Sequence, residues 1–210
     1  MDGITIDTEP LYTNAEINLF NEYGIAIPEQ DWSLFRGSSE KTFYKLSMQR
    51  YKVSEELDVF MKKGREYVRA EFEKEIPFMS GFKKLHKRIS PHHLTGLVTA
   101  SPRKSLNKII NTLHLDNFFN VIISGEDTTN NKPHPDPYLE AMHQLDVIPQ
   151  KTIIIEDSLV GIQSAIKSGA HVIAKTGSVP RNKLIHAHHI VDHLNQITLH
   201  MIQDILHERL

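Results

Sequence analysis

The sequence predicts an α/β fold, a doubly wound parallel sheet with a small helical domain inserted near its start. Two observations predict this class. Beyond residue 94, short apolar runs without polar alternation are separated by amphipathic helical patterns, which is typical of parallel strands that are covered on both faces. From about residue 11 to residue 79, the hydrophobic periodicity is helical throughout.

The predicted strands lie at residues 94–99, 120–124, 152–156 and 172–174. Ligands of such sheets bind beyond the carboxyl ends of the strands. The polar residues at these ends are Thr99, Ser124, Glu156 and Asp157. We therefore expect the functional site at this edge of the sheet.

Helices are predicted between and after the strands. Ser158 is placed to cap the helix after the third strand, and Gly169 to end it with a left-handed residue. Three further helices are predicted from their apolar faces. These are Leu106, Ile109, Ile110 and Leu113 after the first strand, Tyr138, Leu139, Met142 and Leu145 after the second, and Leu194, Ile197, Met201 and Ile205 in a last helix.

The domain prediction assigns residues 1–10 and 80–210 to the α/β core and residues 11–79 to a helical cap. The first cap helix is predicted from a Thr8 cap to Gly24, the second from Ser38 or Ser39, and a long third helix after Ser54. The apolar face of this third helix consists of Leu57, Phe60, Met61, Gly64, Tyr67, Val68 and Phe72. Such stripes predict a packed helical core rather than a cofactor site.

Composition excludes several classes of function. The 210 residues carry a net charge of -2 and a pI of about 6.7, so there is no basic field for nucleic acid. No apolar run reaches the ~18 residues of a membrane span, and the acidic start does not resemble a signal peptide. Cysteine is absent, which excludes thiolate chemistry. We expect a cytoplasmic protein, and the sequence predicts no oligomeric state.

The 13 histidines include two clusters, at residues 92–93 and 186–189. Neither cluster has the helical spacing and acidic partner that a metal site needs. We predict exposed or loop histidines, with His189 entering a strand.

Polar motifs occur in four segments, which are residues 1–12 (MDGITIDTEPLY), 97–101 (LVTAS), 132–137 (KPHPDP) and 155–162 (IEDSLVGI). In this order and spacing they resemble the four motifs of the haloacid dehalogenase-like (HAD) phosphohydrolases. The helical insert resembles the small cap of the subgroup that contains β-phosphoglucomutases and related phosphatases. The resemblance covers essentially the whole chain and implies an Mg²⁺-dependent phosphoric monoester hydrolase that works through an aspartyl-phosphate.

The resemblance implies catalytic roles for Asp2, Thr99 and Lys132. Asp2 corresponds to the general acid/base, whose backbone carbonyl also touches the metal in the family. Glu156 and Asp157 correspond to the Mg²⁺ ligands, and hard carboxylate oxygens suit that ion. Lys132 corresponds to the cation that acts on the phosphate, as a point charge that phosphate accepts well.

Substrate binding is assigned to Thr99, Ala100 and Ser101, which offer a hydroxyl and backbone N–H groups to phosphate, and to Arg36 in the cap. Structural roles remain open for each. Thr99 and Ser101 would also serve to cap the helix that follows them, and Asp157 would serve to cap the helix after the fourth motif. Lys132 and Arg36 would also suit surface turns.

The family's nucleophile is the residue two positions before Asp2, and Met1 is the first residue of this chain. We therefore expect the chain as given to lack the central strand that ends in this nucleophile. Since strands lie ~4.8 Å apart, its neighbours would flank a slot of about 10 Å. We expect the chain as given to be inactive, and an upstream start of the natural protein or a pseudo-enzyme would each account for the sequence.

The expected substrate is a small phosphorylated metabolite, such as a sugar or nucleotide phosphate. Tyr12 stands where β-phosphoglucomutases usually carry His, and Glu40 where they carry a basic residue. Both differences favour a phosphatase. The alternatives are a phosphomutase that depends on a bisphosphate, and a non-catalytic protein that binds phosphate or Mg²⁺ without turnover.

Overall fold

The computed structural model describes residues 1–35 and 40–207, which belong to two compact units. The first unit, the α/β unit, comprises Met1–Asp7 and Phe78–Leu210. The second, the helical unit, comprises Thr8–Pro77. Each unit has its own hydrophobic core.

In the α/β unit the strands are β1 (Gly96–Val98), β2 (Val121–Ile123), β3 (Ile153–Glu156), β4 (His171–Lys175) and β5 (His189–Val191). The helices are α5 (Phe82–Ile89), α6 (Arg103–Leu113), α7 (Asp136–Gln144), α8 (Leu159–Lys167) and α9 (Leu199–His207). In the helical unit they are α1 (Glu9–Glu22), α2 (Trp32–Phe35), α3 (Glu40–Tyr51) and α4 (Leu57–Phe72).

The strands pair in parallel, which confirms the predicted fold class. They form two sheets, β1-β2 and β3-β4-β5. Helices α6, α7 and α8 separate the strands from β1 to β4, because parallel neighbours cannot be joined by a tight turn, and a longer loop with one 3-10 turn joins β4 to β5. The residues of β4 are buried throughout, as a strand covered on both faces requires. A cavity of about 400 Å³ lies between β1 and β3, and residues of both strands line it.

Helix boundaries in the α/β unit follow local hydrogen bonding. Ser158 caps α8 by accepting a bond from the Gly161 N–H, and Gly169 after that helix is left-handed with φ 79°. Both features confirm the sequence predictions. The prediction for the last helix is wrong at its start, since α9 begins only at Leu199. The Thr198 hydroxyl sets this start by accepting a hydrogen bond from the Met201 N–H.

The predicted face of α7 needs one correction. Tyr138, Ala141 and Met142 are buried, whereas Leu139 is 39% exposed. Positions 138, 141 and 142 have the i, i+3, i+4 spacing of one helix face, and position 139 lies outside it. Helix α5 has no counterpart among the sequence predictions, although Phe82 and Leu85 are buried on one side of it.

The helical unit packs its helices around aromatic residues. Phe20, Tyr44 and Phe60 meet in edge-to-face contacts. Gly64 of α4 lies against Tyr44, because a Cβ at position 64 would be 2.0 Å from the Tyr44 hydroxyl oxygen. Thr8 lies at the N-cap of α1 as predicted, but its side chain makes no capping bond. The predicted start of α3 at residue 38 or 39 lies outside the described residues.

The histidine prediction holds in part. His189 begins β5, as expected, and His186 is exposed. His171, in contrast, is 1% exposed and begins β4, because this strand is covered on both faces. Within the described ranges, no helix combines the length and apolarity needed to cross a membrane.

Candidate functional site

The candidate site lies at the carboxyl ends of β1 and β3, and Lys132 joins them. Lys132 is in the loop before α7, and its Nζ donates to the Val98 carbonyl (3.4 Å) and to Glu156 Oε1 (2.6 Å). The Lys132 and Glu156 side chains are only 9% and 8% exposed. Lys132 therefore links the two strand ends, through a hydrogen bond to β1 and a buried ion pair to β3.

Glu156 is fully engaged by protein donors. Besides Lys132, its Oε1 accepts from the Tyr138 hydroxyl (2.8 Å). Its Oε2 accepts from the backbone N–H groups of Asp157 (2.9 Å) and Ser158 (3.0 Å), and from the Ser158 hydroxyl (3.0 Å). Burial by itself raises the pKa of this carboxyl, but the charges of Lys132 and the Met1 amino group, with the hydrogen bonds from Lys132 and the Ser158 N–H, outweigh it and hold the pKa at about 2. Glu156 thus carries a permanent charge that orients Lys132.

Asp157 is buried but less satisfied. Its Oδ2 accepts a short hydrogen bond from the Ser178 hydroxyl. Gly3 approaches from the other side, since a Cβ at position 3 would lie 1.9 Å from Asp157 Oδ2. Burial raises the pKa of Asp157; the Glu156 charge adds to this, and the Ser178 hydrogen bond opposes it. Such a carboxylate would be stabilised by a cation.

The loop after β1 is built around Thr99. This residue is 5% exposed, and its hydroxyl accepts from the Ser101 N–H and bonds the Ser101 hydroxyl, both at 3.1 Å. Ala100 is exposed, and its carbonyl would be 2.4 Å from a Cβ at Gly125. The close approach requires glycine after β2 and fixes the path of the loop.

The first residue of the chain lies near Lys132, Glu156 and Asp157. The Met1 carbonyl accepts from the N–H groups of Ile4, Thr5 and Ile6, which folds residues 1–6 into a turn. Burial, with the charge of Lys132, lowers the pKa of the Met1 amino group, whereas Glu156 and Asp157 oppose the shift. Asp2 itself is exposed.

The structure brings the predicted residues of the α/β unit to adjacent strand ends. Thr99 follows Val98, which Lys132 contacts, and Lys132 contacts Glu156 next to Asp157. Arg36 lies outside the described residues. Sequence reasoning missed Tyr138 and Ser178. Tyr138 was indistinguishable from a core aromatic, and Ser178 lies 21 residues from Asp157 with no motif around it.

The donor set partly fits a divalent cation. In the described part of the chain, no three His, Cys, Asp or Glu residues are clustered closely enough to hold a metal. The buried Asp157 carboxylate offers hard oxygens. Glu156, whose two oxygens bond five donor groups, is better suited to holding Lys132. The metal assignments of Asp2, Glu156 and Asp157 stay predictions.

Known proteins resemble this chain in sequence and fold. The family described as haloacid dehalogenase-like hydrolase matches residues 1–175. A phosphorylated carbohydrates phosphatase of Thermotoga maritima is 27% identical over 170 residues, which cover 80% of this chain and 79% of that protein. The phosphoglycolate phosphatase of Escherichia coli K12 is 35% identical over 81 residues, 39% of this chain and 32% of the relative.

The fold comparison agrees with the sequence comparison. A crystal structure from Thermotoga maritima, assigned as a beta-phosphoglucomutase, covers 100% of this chain and 97% of its own, with a TM-score of 0.79 and 26% identity. The parallel α/β unit and its helical insert define a HAD-like enzyme. The chain belongs to the haloacid dehalogenase-like hydrolase family.

Proposed function

We propose that the site belongs to an Mg²⁺-dependent phosphatase of small phosphomonoesters, and that the 210-residue chain is itself inactive. The observation that carries this proposal is the Lys132–Glu156 ion pair next to the buried Asp157 carboxylate. A buried cation and a separate hard-oxygen ligand are what stabilisation of a transferring phosphoryl group requires.

The proposed roles follow from the contacts. Lys132, oriented by Glu156 and Tyr138, donates to a phosphate oxygen. Thr99 and the backbone N–H groups after it hold the other oxygens. Asp157 and the backbone carbonyl of Asp2 would hold Mg²⁺, which would supply positive charge for the phosphate. Asp2 is exposed, so it is able to deliver a proton to a leaving oxygen.

A phosphorylated carbohydrate is the proposed substrate class. The Thermotoga relative that covers four-fifths of this chain carries that activity in its name. Tyr12 and Glu40 of the helical unit differ from the residues that a phosphomutase would use, which favours hydrolysis over transfer.

Inactivity of the 210-residue chain is proposed because Asp2 is the first carboxylate of the first motif. Without a nucleophile, positioning and electrostatics alone leave a residual acceleration of ~10³–10⁴, whereas phosphate monoesters require far more.

The experiment compares three proteins with a chromogenic phosphomonoester and Mg²⁺. They are the 210-residue chain, the same chain preceded by an apolar strand that ends in Asp, and that extended chain with Asn at this position. We expect turnover only from the second protein, and its loss with a chelator. Equal, substantial rates from all three would show that the nucleophile lies elsewhere.

The second candidate, a phosphomutase, is favoured by the fold comparison with the assigned beta-phosphoglucomutase. Product analysis of the active extended chain separates the two. Isomerised sugar phosphate that depends on a bisphosphate activator would indicate the mutase, and inorganic phosphate release the phosphatase.

A further inference from the structure

Charge is distributed unevenly along the chain. Residues 76–115 contain seven Lys and Arg residues and no Asp or Glu. Because the net charge of the whole chain is -2, the remaining residues together carry -9. Helix α5 lies within this basic segment, and four of its eight residues are Lys or Arg. The positive charge is therefore concentrated on α5.

Helix α5 has two opposite faces. Phe82, Leu85 and Ile89 pack into the hydrophobic core of the α/β unit, and His86 on the same side contacts the Phe118 ring edge to face. At about 3.6 residues per turn, the other four residues of the helix all point away from this core. They form a surface that is termed here the cationic face, which consists of Lys83, Lys84, Lys87 and Arg88.

No carboxylate compensates the cationic face. In the part of the chain that the structure describes, none of its four side chains forms an ion pair. Lys83 Nζ lies 4.2 Å from the centroid of the Phe78 ring, and the Arg88 guanidinium donates to the Ile197 carbonyl. Both partners are uncharged. The three lysines of the cationic face are exposed to solvent, so their charge is available to another molecule.

Local electrostatics disfavour this arrangement. Like charges at i, i+4 spacing destabilise a helix, and the cationic face contains two such pairs, Lys83 with Lys87 and Lys84 with Arg88. Lys83 and Lys84 also lie in the first turn, at the positive end of the helix dipole. This turn contains no acidic residue, and Gly81 at the N-cap makes no side-chain hydrogen bond. Departures from local preference are expected at functional sites, which makes the cationic face a candidate for binding.

We infer that the cationic face of α5 is a docking surface for an extended, acidic segment of a partner protein. Lys83 and Lys87 are about 6 Å apart along the helix axis. An extended chain places the side chains of alternate residues ~6.6 Å apart on one side. Carboxylates at every second position of such a segment therefore match successive cations. The cationic face contains no apolar side chain, so this contact is electrostatic.

The size and surroundings of the cationic face favour a short acidic segment over larger anionic partners. Helix α5 is about 12 Å long, the length of about four extended residues. A long nucleic acid would extend past it and meet the net charge of -9 on the rest of the chain, which repels it. Stable binding to a membrane usually adds apolar groups that insert into the lipid, and the cationic face has none.

The test titrates the isotopically labelled 210-residue chain with the peptide Glu-Ser-Glu-Ser-Glu-Ser-Glu-Ser, acetylated and amidated at its ends, and follows backbone amide shifts by NMR. We expect saturable shifts at residues 82–89 with a Kd below about 1 mM in about 0.01 M salt. The affinity should fall at least about tenfold at about 0.15 M salt, because exposed charges are screened. The peptide with Gln in place of every Glu should not bind.

Two double variants with equal net charge test the location. Lys84→Gln with Lys87→Gln removes two cations that have no contact with the core, and should weaken binding about five- to thirtyfold, the effect of losing two exposed ion pairs. Lys41→Gln with Lys45→Gln is the matched control, since these lysines are exposed and one turn apart on α3 of the helical unit. It should leave the affinity nearly unchanged.

Urea unfolding of the same variants separates docking from a structural role. If Lys84 and Lys87 serve a partner, their replacement relieves like-charge repulsion, and the urea midpoint should stay the same or rise. A lower midpoint would assign the two lysines to the fold and overturn the inference.

Four binding results would also overturn it. They are absence of binding at about 1 mM peptide, shifts confined to residues outside α5, equal losses in the two double variants, and tighter binding of oligothymidylate or phosphatidylserine vesicles through the same lysines. The last result would identify a nucleic acid or a membrane as the partner. These measurements contain no phosphomonoester and require no turnover, so they leave the proposed hydrolase function to its own test.

Discussion

Glu156 shows at the scale of one residue how the fold sets a charge. The charges of Lys132 and the Met1 amino group, with the hydrogen bonds from Lys132 and the Ser158 N–H, outweigh its burial, so that its pKa falls from 4.5 to about 2. A carboxyl whose folded pKa is lowered stabilises the protein above its unfolded pKa. That stabilisation is lost as the pH falls from 4.5 toward 2.

The first prediction concerns this acid dependence. Glu156→Gln should reduce the free energy of unfolding more at pH 6 than at pH 3. The loss of unfolding free energy at pH 6 should exceed the loss at pH 3 by about 2 kcal/mol, because part of the carboxylate's contribution has already been lost at the lower pH. Urea unfolding of the α/β unit at both pH values measures this, with the exposed Glu126→Gln as the control. A pH-independent effect of Glu156→Gln would contradict the ion-pair assignment.

The second prediction concerns Gly3, which has φ 68° and no room for a Cβ beside Asp157. Gly3→Ala should destabilise the α/β unit through both the left-handed backbone and the clash. Gly169→Ala is the matched control, since Gly169 has φ 79° but meets only Pro149 at an ordinary 3.5 Å. We expect the Gly3 variant to lose about 1–3 kcal/mol more than the control. Equal losses would show that Gly3 serves the backbone turn alone.

At the scale of an element, α3 and α4 depend on a glycine that lets an aromatic residue approach. Gly64 is buried in α4, and the hydroxyl and ring of Tyr44 in α3 occupy the place of its Cβ. Helix propensity alone favours Ala over Gly by about 1 kcal/mol. The packing of Tyr44 therefore favours glycine at position 64, although helix propensity alone would favour alanine there.

The third prediction is that Gly64→Ala destabilises the helical unit by about 1–3 kcal/mol despite its better helix propensity. Glu66→Ala, at an exposed position of the same helix, is the control and should be close to neutral. The fluorescence of Trp32, the single tryptophan, reports unfolding of this unit. A stabilised Gly64→Ala variant would mean that Tyr44 moves aside at no cost.

At the scale of the whole molecule, the core of the α/β unit is incompletely filled. The α/β unit contains a cavity of about 400 Å³. By the volume scaling of core truncations, an empty space of this size costs up to about 10 kcal/mol. Domains have a total stability of only ~5–15 kcal/mol.

The fourth prediction is that the two units unfold separately in urea. The α/β unit should unfold first, seen as loss of far-UV circular dichroism, while the Trp32 fluorescence change of the helical unit follows at higher urea. Non-coincident transitions of this kind exclude two-state unfolding. Coincident curves would show that the cavity does not limit the stability of the α/β unit.

The sequence by itself determined the class of fold, the positions of the first four strands and the segments that carry the candidate site. It could do so because uninterrupted apolar strands, helical periodicity and capping residues such as Ser158 are local features, and the four motif segments match a family that covers most of the chain. Arg36, the one candidate of the helical unit, lies outside the described residues, and its role stays a prediction.

Only the tertiary structure decided how the charges of the site are distributed. The two neighbouring carboxylates look alike in sequence, yet Lys132, Tyr138 and Ser158 engage Glu156, whereas Ser178 and the close approach of Gly3 define Asp157. The exposure of Leu139 was likewise decided by packing. These properties depend on contacts between distant segments, and local patterns carry no information about which donors meet which acceptors.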